Sequence, residues 1–212
     1  MSWSHTLALL LESSGRWMLW NTILAWVPVG LAVPLFRRGT DRRRGPLWWL
    51  GVVVFGLFLP NAPYVVTDLI HVRPTIRALG PGAPVATTVV PLYAALVISG
   101  FVAYTLALGM AGGYLHRLGR DAWRLPLRIS THALVAIGIF LGRWPRLNSW
   151  QPFTDPRGTL HLISESLAWS HAPVLIAILF VVTALGHLMT RTVLGIAGLG
   201  DLSTSPVRGA AG

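Results

Sequence analysis

A hydrophobic segment that is interrupted before it can cross a membrane constrains this chain most. From Leu47 the sequence is almost wholly apolar until Pro60 and Pro63 break it. Leu47 to Leu59 is thirteen residues, which makes about 20 Å of helix against a hydrocarbon core of about 30 Å. The break therefore falls inside the membrane or at its edge. Immediately beyond it come Asn61, Tyr64, Asp68 and His71. Irregular backbone and ionisable groups at that depth are costly unless they face protein or a water-filled cavity. A functional site is sought here first.

Composition agrees with a membrane solvent. Hydrophobic residues are 53% of the chain and charged residues 11%, too few to cover a soluble domain of this size. The formal charge of +10 would suit an acidic partner such as nucleic acid. The arginines, however, lie between apolar segments and do not form a basic domain, so orientation in lipid accounts for them and nucleic acid is excluded. All 17 basic residues are arginine. Cysteine is absent, which rules out disulfides, thiolate metal sites, c-type haem attachment and Cys nucleophiles.

The pattern predicts an all-α, polytopic membrane bundle of about five transmembrane helices, one of them broken. The spans run about 17–36, with Pro28 and Pro34 bending the second half, then 47–66, 85–114, 127–144 and 172–194. Pro173 suits the first turn of the last span. Residues 1–16 form an interfacial segment, because the apolar run His5–Leu11 is short and Glu12 and Arg16 end it. No positively charged start marks that segment as a signal peptide. Residues 17–194 make the bundle and 195–212 a flexible tail.

Arginine counts orient the bundle. With the N-terminus outside, eleven arginines (37, 38, 42, 43, 44, 117, 120, 124, 128, 191 and 208) fall on the cytoplasmic side and six outside. The C-terminus is then cytoplasmic. The break at 60–71, the loop at 143–165 and the start of the last span share the extracytoplasmic face.

If a helix resumes after Pro63 and ends before Pro74, Tyr64, Asp68 and His71 stand at i, i+4 and i+7 on one face, with Thr67 beside them. In one reading Asn61 caps that short helix and Asp68 pairs with a nearby arginine; in the other the face handles protons or binds a ligand. The second polar group is Gly142-Arg143-Trp144-Pro145-Arg146-Leu147-Asn148-Ser149-Trp150. Snorkelling arginines and an aromatic belt explain Arg128, Arg143, Trp144 and Trp150 but not Asn148 and Ser149. Arg143 and Arg146 at i, i+3 are placed to hold Asp68 or to clamp a carboxylate or phosphate, although Pro145 disturbs the spacing.

Leu-Pro-Asn-Ala-Pro-Tyr-x-x-Thr-Asp-Leu-Ile-His at 59–71 and Gly-Arg-x-x-Arg-x-Asn-Ser-Trp at 142–150 together resemble a bacterial family of small multi-pass membrane proteins, domain of unknown function thirteen sixty-one. The resemblance covers most of the chain, from the first span to the fifth, and implies fold and membrane location without an activity. It marks Asn61, Tyr64, Asp68, His71, Arg143, Arg146, Asn148 and Trp150. The chain departs from the family pattern at Leu147, where the pattern has Trp, and at Gln151, where it has an acid.

Outside the resemblance, His161 and Glu165 at i, i+4, with His171 on the same side, join Asp68 and His71 as a possible Zn²⁺ ligand set. The plainer reading is an interfacial helix with outward polar residues. His132 and His187 fall at similar depth, as separate interfacial histidines or as a bis-His haem pair. Gly109 and Gly113, with Ala103, Ala107 and Ala111, form a small-residue face for close helix packing, within the chain or in a homo-oligomer. No internal repeat or nucleotide loop is present.

Three functions fit an inner-membrane protein of this kind. One is a polar extracytoplasmic site that binds or passes a small anionic or protonatable solute. Another is a metal-dependent or acid–base enzyme acting on a lipid-linked or envelope substrate. The last is a structural subunit or assembly factor.

Overall fold

The structure, a computed structural model, describes residues 3–37, 44–79, 83–148 and 150–197. Of the residues singled out above, Arg38, Arg42, Arg43, Ser149, Arg208 and the tail from 198 lie outside the described residues. Five stretches are long and apolar enough to cross a membrane: Ser14–Arg37, Pro46–Ala78, Thr87–Arg117, Asp121–Arg143 and Ala172–Ile196. The protein is an all-α, multi-pass membrane bundle.

The first span belongs to α1, Trp3–Ala32, which continues into a π-helical turn at Val33–Arg37. Glu12 and Arg16, expected to end a separate short segment, lie inside α1, and Thr6 and Leu10 are buried. Packing of this stretch in the bundle overrides the interruption by charge. The proline-rich end is distorted as anticipated. Where the helix widens at Pro34, the indole of Trp48 donates to the carbonyl of Leu35 at 3.1 Å, and Arg117 donates to that of Phe36.

The broken span comprises α2 (Pro46–Phe58), α3 (Asn61–Tyr64), a 3₁₀ segment Val65–His71 and α4 (Val72–Leu79). Pro60 and Pro63 loosen the helical ladder without reversing the chain. Leu59, Pro60, Val65 and Val72 all keep right-handed helical dihedrals. The carbonyl of Leu59, which Pro63 cannot serve, accepts from Ala62 at 3.2 Å. Asn61 does not cap the short helix. Its Nδ2 donates backwards to the carbonyl of Phe58 at 3.0 Å, closing the end of α2. Nor does the helical path end before Pro74. Pro74 sits in the first turn of α4, where a missing donor is tolerated.

The central helix is α5, Ala83–Arg117. It runs parallel to α1, with Trp17 beside Tyr93, Trp26 donating to Ser99 at 3.0 Å, and Phe36 beside Tyr114. Ala103, Ala107, Ala111 and Gly113 are buried within the chain, so this small-residue face is used in the bundle itself. A 3₁₀ turn, Asp121–Trp123, leads to α6, Arg124–Arg143. The short α7 (Gln151–Thr154) and α8 (Pro156–Leu167) precede α9, Ala172–Ile196, with Pro173 in its first turn. α9 lies against α5 and α6.

Two glycines bring the broken segment close to its neighbours. A Cβ at Gly100 of α5 would stand 2.3 Å from the carbonyl oxygen of Ala62, and one at Gly138 of α6 would stand 2.6 Å from the ring of Pro60. The irregular backbone thus lies in a slot between α5 and α6, where protein covers it.

Candidate functional site

A cleft of about 630 Å³ opens beside the break. Leu24 of α1, Val53 and Leu57 of α2, and Leu134, Ile137 and Leu141 of α6 form its apolar walls. Its polar groups are Asn21, Asn61, Tyr64 and Asn148, with Trp150 at the rim. Trp20, Val53 and Leu134 also line it while being 55%, 54% and 68% exposed, so this part of the cleft opens on the lipid-facing side of the bundle.

The end of α6 shapes one boundary. The helix stops at Arg143, ahead of Pro145, and Arg146 adopts a positive φ of 60°. The amide of Leu147 then reaches back to the carbonyl of Leu141 at 3.0 Å. This turn carries Arg146 off the helix, so Arg143 and Arg146 do not share one helical face. Gln151 has a structural use. Its side-chain oxygen accepts from the backbone N–H of Asn148, fixing the segment that overhangs the cleft.

The first polar group is divided. At about three residues per 3₁₀ turn, Tyr64 and Asp68 point about 120° apart and do not share the expected face. Tyr64 lines the cleft, whereas Asp68 is 4% exposed and turns towards α1. There Asn21 Nδ2 donates to Asp68 Oδ2 at 2.9 Å. The expected ion pair with Arg143 or Arg146 is absent among the described residues, although Arg143 and His71 lie near enough to act on Asp68 electrostatically. His71 is exposed and stands 5.8 Å from Trp17, ring centre to ring centre. Thr67 bonds the carbonyl of Tyr64 at 2.8 Å.

Asn21 therefore belongs to the site, although the proline and arginine motifs do not point to it. It borders the cleft and holds the carboxylate behind it. The signal was present in the sequence as a lone amide inside an apolar span, a residue type that seeks a partner in a bilayer.

The proposed zinc ligands are not assembled. Asp68 faces Asn21, and His71 faces Trp17. His161 and Glu165 form an exposed pair on α8 at 3.3 Å, and His171 lies beside Trp169. Among the described residues no group of three or more His, Cys, Asp and Glu side chains could hold a metal ion. His161 instead borders a second cavity of about 250 Å³, with Gln151 and Asp155. Asp155 caps α8 by accepting from Gly158 at 2.9 Å.

His132 and His187 do meet, in the bundle interior. Their ring centres are 5.3 Å apart. His132 Nδ1 shares a hydrogen bond with Tyr104 at 2.8 Å, and His187 Nδ1 one with Thr105 at 3.2 Å.

A protein-family model described as "Protein of unknown function (DUF1361)" matches residues 20–185, which include the cleft, the broken span and both polar groups. No curated protein and no solved structure matches the chain.

Proposed function

Because the chain belongs to this family, whose description assigns no activity, we propose from the cleft alone that the protein binds an amphipathic, lipid-like molecule at the outer half of the membrane. The observation that carries this reading is the distribution of side chains in the cleft. The exposed apolar residues Trp20, Val53 and Leu134 line the part that opens towards lipid, and Asn61, Tyr64 and Asn148 are polar lining groups, with Tyr64 beside Gly142 and the Leu147 carbonyl at the end of α6. An acyl or isoprenoid tail would enter between α2 and α6, and a polar head would meet two amides and a phenol. A volume of about 630 Å³ falls in the range of ligand sites, about 300–1,000 Å³.

Binding has more support than catalysis. Among the described residues lining the cleft, Tyr64 is the one titratable side chain. Asp68 lies behind Asn21, so a proton-handling or solute-passing path through Asp68 and His71 has less support than occupancy of the cleft. The excess of arginines at the other end would place the polar end of the cleft outside the cell membrane.

Photo-crosslinking tests the reading. A lipid carrying a photoactivatable tail should label Val53 and Leu134 in preference to lipid-facing residues elsewhere, and Gly56→Phe, at a cleft-lining position with nothing within 4 Å of its Cβ, should abolish that preference. Labelling spread evenly over α2, α6 and the exposed face of α9 would refute it.

A further inference from the structure

α6 and α9 pack antiparallel, and the contact between His132 and His187 sets their register. One helical turn from this contact, towards the same end of the bundle, stand Arg128 on α6 and Arg191 on α9. Arg191 and Arg124 are the like-charged neighbours of Arg128. Arg128 and Arg191 thus stand together where the two helices meet, with Arg124 one turn farther on, turned towards Asp121 and Gly112 of α5.

The described residues do not neutralise Arg128 and Arg191. At this end their one carboxylate is Asp121, which is 55% exposed and already engaged by His116 at 2.8 Å and Arg124 at 3.2 Å. Arg128 and Arg191 pair with no carboxylate among the described residues. The Nε of Arg124 is buried without a hydrogen-bond partner. Simple snorkelling would carry such charges past the apolar belt. Here exposed apolar side chains continue beyond Arg128 and Arg191 towards the same end, with Leu125 61%, Val193 64% and Ile196 84% exposed. Guanidinium groups held level with apolar, lipid-facing residues require a counter-charge at that depth.

We propose that Arg128 and Arg191 bind the phosphate of an anionic phospholipid between the ends of α6 and α9. The guanidinium fork matches phosphate oxygens geometrically, and a lipid presents that phosphate at the depth where these side chains stand. The paired imidazoles, each engaged through Nδ1, close the site on the side of the bundle core. This site lies at the opposite end of α6 from the polar end of the cleft and is independent of what the cleft binds.

Native mass spectrometry of the full chain in a zwitterionic detergent tests the proposal, with phosphatidylglycerol and phosphatidylcholine of identical chains as probes. The wild type should retain phosphatidylglycerol about tenfold better, and R128Q/R191Q should lose most of that preference. R143Q/R146Q, at the other end of α6, should keep it. If R128Q/R191Q does not fold, Arg191→Gln alone is used, because its exposed side chain lies near the end of α9. Equal retention of the two lipids by the wild type, or an undiminished preference in the arginine variants, would overturn the proposal. Saturable binding of inorganic phosphate that displaces phosphatidylglycerol would overturn the lipid as the source of the phosphate.

Discussion

Asn21 on α1 and Asp68 on the 3₁₀ segment are joined by a 2.9 Å hydrogen bond across 47 residues of sequence. It ties the first span to the broken one and gives a nearly fully buried carboxyl group a donor. Removing the donor alone leaves that group unsatisfied, a penalty of about 1–3 kcal/mol, whereas replacing both partners with apolar residues removes the need for the bond. Asn21→Leu should therefore destabilise the protein more than the double change Asn21→Leu with Asp68→Leu. Reversible unfolding in mixed micelles measures both. A double variant as unstable as the sum of the single ones would show that the two side chains act independently.

The slot around the break makes a second, steric prediction. Gly100→Ala would drive a methyl group against the carbonyl of Ala62 and the side chain of Val65, at 2.3 and 2.4 Å. One of these neighbours is backbone, which cannot swing aside, so a loss of about 1–3 kcal/mol is expected. Gly30→Ala is the control, because nothing lies within 4 Å of its Cβ position. That change should be neutral or stabilising, since alanine favours a helix interior by about 1 kcal/mol over glycine. Equal thermal stabilities of the two variants would contradict the close approach of α3 and α5.

Hydropathy and proline placement made much of this architecture legible. The expected spans 17–36, 85–114, 127–144 and 172–194 match the apolar stretches Ser14–Arg37, Thr87–Arg117, Asp121–Arg143 and Ala172–Ile196 to within about six residues, because apolar length is what a bilayer selects. Pro60 and Pro63 marked the interruption correctly. The direction of the side chains beyond it was not legible, because the residue pattern does not distinguish the 3₁₀ winding there from a 3.6-residue helix. Asp68 and Tyr64 consequently face different surroundings. The partner of Asp68 was also hidden. Electrostatic reasoning favours an arginine, but packing of α1 against the break brings an amide closer. Arg146 leaves the helical face of Arg143 for a local reason, the turn beside Pro145 at the end of α6.

Topology has a direct check, because the chain contains no cysteine. Ala122 precedes α6 and Ser164 lies on α8, and both are exposed. Ala122→Cys and Ser164→Cys should react with an impermeant thiol reagent from opposite sides of the membrane, with Ser164→Cys labelled from outside intact cells. Labelling of both from one side would reject the five-span arrangement.

Tyr104 and His132 provide the last prediction. Tyr104 is fully buried, and its hydroxyl meets His132 Nδ1 at 2.8 Å in the bundle interior. Tyr104→Phe keeps the ring and removes the hydroxyl, leaving the imidazole nitrogen without that partner. His132→Phe keeps the bulk and strands the hydroxyl instead. Each single change should be destabilising, and the double change should restore part of the loss, giving a coupling of about 0.6–1.7 kcal/mol, as for hydrogen bonds between helices in membranes. The cycle is measured by unfolding the four proteins in the same micelles. A coupling indistinguishable from zero would mean that the hydroxyl and the imidazole find other partners, and that the α5–α6 contact rests on packing of the rings alone.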